Sequence, residues 1–378
     1  MTRRYDIDAI RVIAFGILIL YHCAMLYVPG WGWHIKSNYQ IDNLDYVMRF
    51  FNAWRMPLIF LVSGTAIAMA KPHQWLSKFV RNRTYRLLFP LIIAMIFSVP
   101  LQAFVQASAN GSWHGGLGEF LFHYFTFQPW PENAFDGSNV GFTWNHLWYL
   151  PYLFVYTMIL VALISIVTLF QLKEVLLRAL TSPALLITIV FIYMTLVKTY
   201  LQPLYKETHA LWGDWYAHAW YLGYFLIGYL LGTSSLQKVW DCIKKFKLLA
   251  LLIALNCYLV AQLIHAFVPS ISTEFRLVYA GVNVQFTLTA ILAILGYGYT
   301  YLNKKDSVFS KLSQAIFPWY IFHQTYIIVL AYWLIPLQLG VVTEFATVVA
   351  GTAISCWITY KLVMSKLTVL KPAIGVFK

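Results

Sequence analysis

Charge is scarce in this chain. Only 11% of its 378 residues are Asp, Glu, Lys or Arg, whereas a soluble domain has roughly 25%. Hydrophobic residues make up 60% of the chain, so it is predicted to be an all-α, polytopic integral membrane protein. The first apolar stretch, residues 7–27, is too long for a signal peptide and lacks a small-residue cleavage site, so no cleavable leader is expected.

Recognisable chemical motifs are also few. The four cysteines, Cys23, Cys242, Cys257 and Cys356, have neither paired nor metal-ligand spacing and are interpreted as small core residues. The ten histidines are scattered without a His-Glu-x-x-His pattern, so no metal is expected. There is no Gly-rich phosphate loop and no Gly-x-Ser-x-Gly elbow. These absences argue against a metalloenzyme, a P-loop enzyme and a serine hydrolase.

The net charge of +13 does not indicate a nucleic-acid partner, because the basic residues collect in alternate loops. Such a distribution is a membrane-topology signal. It places both termini in the cytoplasm, with about ten spans and contacts to membrane lipids. The predicted spans are residues 7–28, 47–70, 87–106, 146–170, 183–203, 216–234, 248–268, 277–302, 314–335 and 343–364. The cytoplasmic set is Arg3, Arg4, Lys71, Lys78, Arg81, Arg83, Arg86, Lys173, Arg178, Lys238, Lys244, Lys245, Lys247, Lys304, Lys305, Lys311, Lys366, Lys371 and Lys378.

One long outer loop, residues 106–145, interrupts the alternation of spans within a single domain, 1–378. It is rich in Gly, Trp, Asn and Pro and has no Lys or Arg. Two interpretations stay open. The loop is either a lid or acceptor-binding platform, since Trp and Tyr stack on sugar rings, or an interfacial loop with aromatic anchors.

Arg11 and His22 lie inside the first predicted span. Eleven residues at about 100° per residue return to nearly the same helix face, roughly 16 Å apart along the axis. Ionisable groups inside a membrane helix usually mark a functional site. Arg11, with Asp8 one turn earlier to orient it, suits the phosphates of an anionic donor, although snorkelling to lipid headgroups is the alternative.

His22 lies in the middle to outer part of that span. A neutral imidazole there can take a proton from an acceptor hydroxyl and deliver it to a leaving thiolate. The alternative is a core histidine that is hydrogen-bonded to a neighbouring group.

Five motifs, taken in chain order, carry a family resemblance. They are Asp8 with Arg11 and His22, FLVSG at 60–64, RTYRLLFP at 83–90, HLWYL at 146–150 and FPWYIFHQT at 317–325. Together they resemble the membrane-bound acyltransferase family 3. Thr325 stands where that family usually has Pro. The stretches WGWH at 31–34 and WRMPLIFLVSG at 54–64 are similar to the subgroup that succinylates osmoregulated periplasmic glucans.

The resemblance implies an acyl-CoA donor (acetyl-CoA or succinyl-CoA), a glycan acceptor and a multi-pass protein of the bacterial inner membrane. Arg83 and Arg86 would hold coenzyme A phosphates, or would be ordinary basic residues on anionic lipid. Ser63, beside Gly64, would allow a pantetheine arm to approach, or would serve close helix packing. Whether the chain forms a homo-oligomer stays open.

Four further residues are candidates for substrate binding. Arg55 is about 13 Å deep in its predicted span, where it would hold a succinyl carboxylate or glycan, or form a structural ion pair. His146, at the outer end of the fourth span, would contact acceptor or assist His22, or be structural. His323, with Tyr320 one turn away, would line the same cavity.

The favoured hypothesis is therefore an O-acyltransferase (one that transfers groups other than amino-acyl groups), with His22 as its catalytic base. Acyl-CoA would arrive from the cytoplasm, and a glycan hydroxyl from the outer face. The alternative is a transporter or flippase for a glycan or small anion, because buried Arg and His also mark transport pathways.

Overall fold

The computed structural model of the chain describes residues 4–70, 76–170, 182–233, 236–268 and 272–377. Of the basic residues that carry the sidedness prediction, Arg3, Lys71, Lys173, Arg178 and Lys378 lie outside the described residues. Helices and their connections make up the described part, which contains no strand. Its α-helices are α1 Tyr5–Ala24, α2 Leu44–Met69, α3 Leu76–Phe97, α4 Val99–Ala109, α5 Leu117–Phe125, α6 Tyr149–Leu169, α7 Pro183–Leu196, α8 Trp215–Leu231, α9 Gln237–Lys245, α10 Lys247–Phe267, α11 Thr273–Tyr301, α12 Ser307–Leu334 and α13 Val341–Ser365.

Nine helical segments among these residues are long and apolar enough to cross a membrane. The remaining predicted span, 216–234, corresponds to α8, whose 17 residues are at the short end of the length that a bilayer needs. The predicted all-α integral membrane architecture is confirmed.

Local sequence explains where several helices begin. Ser182 and Ser272 stand immediately before α7 and α11, and their hydroxyls accept hydrogen bonds from the backbone N–H groups of Leu185 (3.4 Å) and Phe275 (3.2 Å). Pro183 occupies the first position of α7, where its missing N–H costs nothing. Both starts are ordinary N-caps, which satisfy backbone donors that the helix itself leaves without partners.

The chain divides into two compact units, and the first comprises residues 1–14, 49–81 and 152–310. Within it, α2 and α8 pack backbone to backbone. A Cβ on Gly64 would collide with the carbonyl oxygen of Phe225, and one on Gly228 with that of Leu61. Only glycine permits this approach, so the helix-packing interpretation holds for Gly64.

The second unit comprises residues 15–48, 82–151 and 311–378. One of its cores surrounds the end of α1, where Cys23, Leu26 and Tyr27 pack against Ile327 and other residues of α12 and α13. The connection from α1 to α2, residues 28–43, folds back onto the end of α1. Its tethers fix the segment that follows His22.

Three backbone carbonyls at the end of α1 hold this connection. The Nζ of Lys36 donates to the carbonyls of Met25 (2.8 Å) and Val28 (2.6 Å), and the amide of Ser37 donates to that of Leu26 (3.0 Å). Burial lowers the pKa of Lys36 below its usual range. The Lys36 side chain therefore caps carbonyl groups at the end of α1, a position that favours a cation.

The second core lies within the long predicted loop 106–145. Phe120, Tyr124 and Phe135 are buried there, and the rings of Trp113 and Trp130 pack beside them with centroids 5.6 Å apart. The segment includes the helix α5, which the sequence interpretation treated as loop. Trp113 and Trp130 therefore stabilise the segment's own fold.

Candidate active site

His22 and His323 form the centre of the candidate site, in the second unit. His22 lies near the end of α1 and His323 lies in α12, with its side chain fully buried. The Nδ1 of His22 is 2.9 Å from the Nε2 of His323. Their ring planes differ by 9°, and the centroids are 5.1 Å apart. This is the geometry of two nearly coplanar imidazoles joined edge to edge by one hydrogen bond.

Backbone carbonyls determine which nitrogen carries the proton in this pair. The Nδ1 of His323 lies 2.9 Å from the carbonyl oxygen of Tyr320 and 3.1 Å from that of Trp319. A carbonyl only accepts, so this Nδ1 is the donor, and neutral His323 has its lone pair on Nε2. His22 therefore donates through Nδ1, which puts the proton-accepting lone pair of neutral His22 on Nε2.

A third histidine is fixed by the same reasoning. The Nε2 of His146 donates to the carbonyls of Tyr320 (3.0 Å) and Ile321 (3.2 Å), and its Nδ1 lies 3.4 Å from the amide nitrogen of Gln102. The hydroxyl of Tyr320 donates to the carbonyl of His146 at 2.8 Å. These contacts hold His146 against α12, the helix that contains Tyr320 and His323. The ring centroids of His146 and His323 are 5.1 Å apart.

Buried amides and hydroxyls extend the cluster through α4 and α12. The Nε2 of Gln102 donates to the hydroxyl of Thr325 at 2.6 Å, and the Oγ atoms of Thr325 and Ser98 are 2.7 Å apart. The Nε2 of Gln324 donates to the Oε1 of Gln102 at 3.3 Å. Thr325, the departure from the family motif, thus supplies a hydroxyl to this network that a proline could not.

A fourth histidine, His34, joins the network from the connection after α1. Its Nε2 accepts from the Nε2 of Gln324 at 2.8 Å, so its Nδ1 is the donor. That Nδ1 lies 2.7 Å from the Oε1 of Gln106 and 3.3 Å from the Oδ2 of Asp136. The polar network therefore runs from buried α12 to a carboxylate in the long loop.

Four of the predicted residues belong to the first unit. The Nη2 of Arg11 is 3.3 Å from the Oδ1 of Asp8, in a half-buried pair one turn apart on α1. Arg55 is buried in α2, with 5% of its surface exposed. The hydroxyl of Ser63 donates to the carbonyl of Ile59 at 2.8 Å.

Arg83 and Arg86, in α3, belong to the second unit. The guanidinium carbon of Arg86 lies 5.3 Å from the ring centroid of Phe377, which also contacts the ring of Tyr85. Arg86 is exposed beyond this cation–π contact, so its charge stays accessible.

The sequence interpretation missed His34, Gln102, Gln106 and Asp136. A usable signal was present: Gln102 and Gln106 are four residues apart in an otherwise apolar stretch, on one face of a helix. Polar side chains at such a spacing inside a span indicate an internal polar surface. His34 offered no comparable pattern, because it lies in an irregular outer connection.

Within the described ranges, no three His, Cys, Asp or Glu side chains come together in a way that could hold a metal ion. The cluster's chemistry is that of imidazoles. A histidine whose Nδ1–H is anchored and whose Nε2 accepts protons is the arrangement that a general base or nucleophile requires.

The chain matches no curated protein and no solved structure at a significant level. The model of one protein family, described as an acyltransferase domain, matches residues 4–361. That range takes in all five motifs and segments of both units, and it favours a membrane acyltransferase over a transporter or flippase. With nearly its whole length matched, the chain belongs to acyltransferase family 3.

Proposed function

We propose that the protein is an O-acyltransferase that moves an acyl group from cytoplasmic acyl-CoA to a hydroxyl of an extracytoplasmic glycan. The Nε2 of His22 takes the hydroxyl proton as the oxygen attacks the thioester carbonyl. The new C–O bond replaces the C–S bond, and the proton passes from His22 to the departing thiolate. The products are the glycan ester and free coenzyme A.

The observation that carries this proposal is the 2.9 Å contact between His22 and His323. It supports His22 as the base because a fixed Nδ1–H directs proton transfer to Nε2. His323 accepts that Nδ1–H and thereby shares the positive charge when His22 is protonated. His323 is a positioning residue in this scheme, and His146 and Tyr320 hold its helix.

The donor is assigned to the predicted cytoplasmic side. Arg11, oriented by Asp8, would contact coenzyme A phosphates, and half-buried Arg83 and exposed Arg86 would add to the attraction. Ser63 would lie along the pantetheine arm. The buried Arg55 would pair with the carboxylate of a dicarboxylic acyl group, which favours succinyl over acetyl and agrees with the glucan-succinylating subgroup.

We further propose that the protein is a multi-pass protein of the bacterial inner membrane. Donor and acceptor occupy different compartments, so the reaction needs a protein that crosses the membrane. The alternation of basic loops supports cytoplasmic entry of the donor.

The experiment uses inside-out membrane vesicles with a short linear glucan sealed inside and labelled succinyl-CoA or acetyl-CoA supplied outside. We expect wild type to label the glucan and His22→Ala to be slower by about 10²- to 10⁴-fold. His265→Ala is the matched control, because His265 is an exposed histidine on α10.

Two results would contradict the proposal. Equal labelling by wild type and His22→Ala would remove His22 from the chemistry. Movement of unlabelled glucan across the membrane, without any acylation, would point to transport. The preferred donor identifies the acyl group.

A further inference from the structure

Trp33 lies directly against the candidate base. Its indole centroid is 5.2 Å from the ring of His22 and 5.0 Å from that of His34. Its Nε1 is buried and has no hydrogen-bond partner among the described residues, although the side chain as a whole is only half-buried. A buried donor without a partner costs free energy, so a ligand that shifted this indole and offered an acceptor to its N–H would be stabilised.

The carboxylate of Asp136 is held in place on the other side of His34. Its Oδ1 accepts from the Nε2 of Gln106 at 3.1 Å, and its Oδ2 lies 3.3 Å from the Nδ1 of His34. The backbone amide of Asp136 returns a hydrogen bond to the Oε1 of Gln106 at 3.1 Å. The side chain is nevertheless 62% exposed, so most of its acceptor capacity faces solvent.

The scaffold under these groups is rigid. His34 is 6% exposed and is bonded at both ring nitrogens, and Lys36 ties the same connection to the end of α1. The half-buried indole of Trp33 and the exposed carboxylate of Asp136 therefore flank a histidine that is already held in place, which lowers the ordering cost of binding a ligand there.

The chemistry of this surface selects the kind of ligand. An indole face packs on the apolar C–H face of a sugar ring, and its N–H donates to a ring or hydroxyl oxygen. A fixed carboxylate accepts hydrogen bonds from hydroxyl groups and repels phosphates and other carboxylates. The surface therefore suits a neutral, polyhydroxylated ligand and disfavours the polyanionic coenzyme A.

We propose that Trp33 and Asp136, with His34 as the positioning residue between them, form the acceptor subsite for one neutral sugar unit. The indole would stack on the sugar ring, and the carboxylate would accept from two of its hydroxyls. A further hydroxyl of the same unit would then lie at His22. This inference rests on the proposed function and specifies its acceptor side.

The test compares Trp33→Phe and Asp136→Asn with Glu132→Gln. Trp33→Phe keeps an aromatic ring but replaces the indole with a smaller phenyl group that has no N–H. Glu132→Gln is the matched control, because Glu132 is an exposed acid on the same loop. With a short linear glucan and labelled acyl-CoA, we expect each subsite variant to raise the KM for glucan about tenfold or more. The KM for acyl-CoA should change by less than about twofold, and the control should match wild type.

Binding of the same glucan to detergent-purified protein, measured by calorimetry without donor, separates the two hypotheses. Weaker binding by both subsite variants supports the subsite even if no acyl transfer occurs, in which case the proposed function alone fails. Wild-type affinity in Trp33→Phe and Asp136→Asn, or no glucan binding by wild type, overturns the subsite. Retention of the wild-type elution volume and unfolding midpoint excludes misfolding as the cause of weaker binding.

Discussion

The Nδ1 of His22 and the Nε2 of His323 are joined by a 2.9 Å hydrogen bond between residues 301 positions apart in sequence. The carbonyls of Trp319 and Tyr320 fix its direction by accepting from the opposite nitrogen of His323. One imidazole thus orients the other, and in the proposed mechanism the second imidazole helps to stabilise the charge that develops on the first.

Replacement of His323 tests this orientation. His323→Phe keeps a ring of similar shape but removes the acceptor of the His22 Nδ1–H, so we expect kcat to fall about 10²-fold. The KM for acyl-CoA should stay within about twofold. Steady-state kinetics in vesicles measure both constants, with His265→Phe as the control. A wild-type kcat in His323→Phe would show that His22 needs no such partner.

Arg11→Lys tests the donor assignment. The positive charge is kept, but the planar fork that matches phosphate geometry is lost. We expect the KM for acyl-CoA to rise about tenfold with the KM for glucan unchanged. Arg276→Lys, which changes an arginine near the start of α11 that has no assigned donor role, is the matched control. An increase confined to the KM for glucan would contradict a donor role for Arg11.

The hydroxyl of Thr325 is expected to stabilise the polar network. Thr325→Val removes the acceptor of a 2.6 Å bond from Gln102, so stability should fall by about 1–3 kcal/mol. Thermal unfolding in detergent is the measurement. In the control, Thr168→Val, the lost hydroxyl is exposed and, among the described residues, bonds the carbonyl of Ile164 in its own helix, so little change is expected. Equal unfolding midpoints for both variants would contradict the network's role.

Two glycines within helices should respond oppositely to alanine. Gly228→Ala places a methyl group against the backbone of Leu61, and such overpacking costs about 1–3 kcal/mol or more. Gly16 has nothing near its added Cβ, so Gly16→Ala should be neutral or stabilising by up to about 1 kcal/mol. Unfolding midpoints of the two variants compare them directly. A neutral Gly228→Ala would mean that α2 and α8 separate easily.

The sequence was sufficient to predict the membrane helices and to single out His22 as a candidate base, because apolar length and a titratable group inside a span are local signals. It was also sufficient to place His323 and His146 in motifs. It could not pair His22 with His323, since that contact depends on the packing of α1 against α12. The proton positions likewise depend on which carbonyls those histidines meet.

Other features needed tertiary information for different reasons. The indoles of the 106–145 segment were open to a ligand-binding or an anchoring interpretation, and Trp113 and Trp130 instead pack in a small local core. Gly64 fitted two roles until the backbone of α8 was seen against it. His34 and Asp136 are 102 residues apart in sequence, and no local pattern relates them.

The tethering of residues 28–43 to the end of α1 has an evolutionary and practical consequence. Lys36, Ser37 and Gln40 reach back to carbonyls of residues 25–28, so the connection closes on its own stem immediately beyond His22. A segment anchored in this way can change at its tip without losing its attachment. Under the proposed acceptor subsite, the tip around Trp33 is the part that would change to suit a new acceptor while the anchors and α1 are kept. Loop exchange between relatives, made at these anchors, is therefore the natural route to an enzyme with altered acceptor preference.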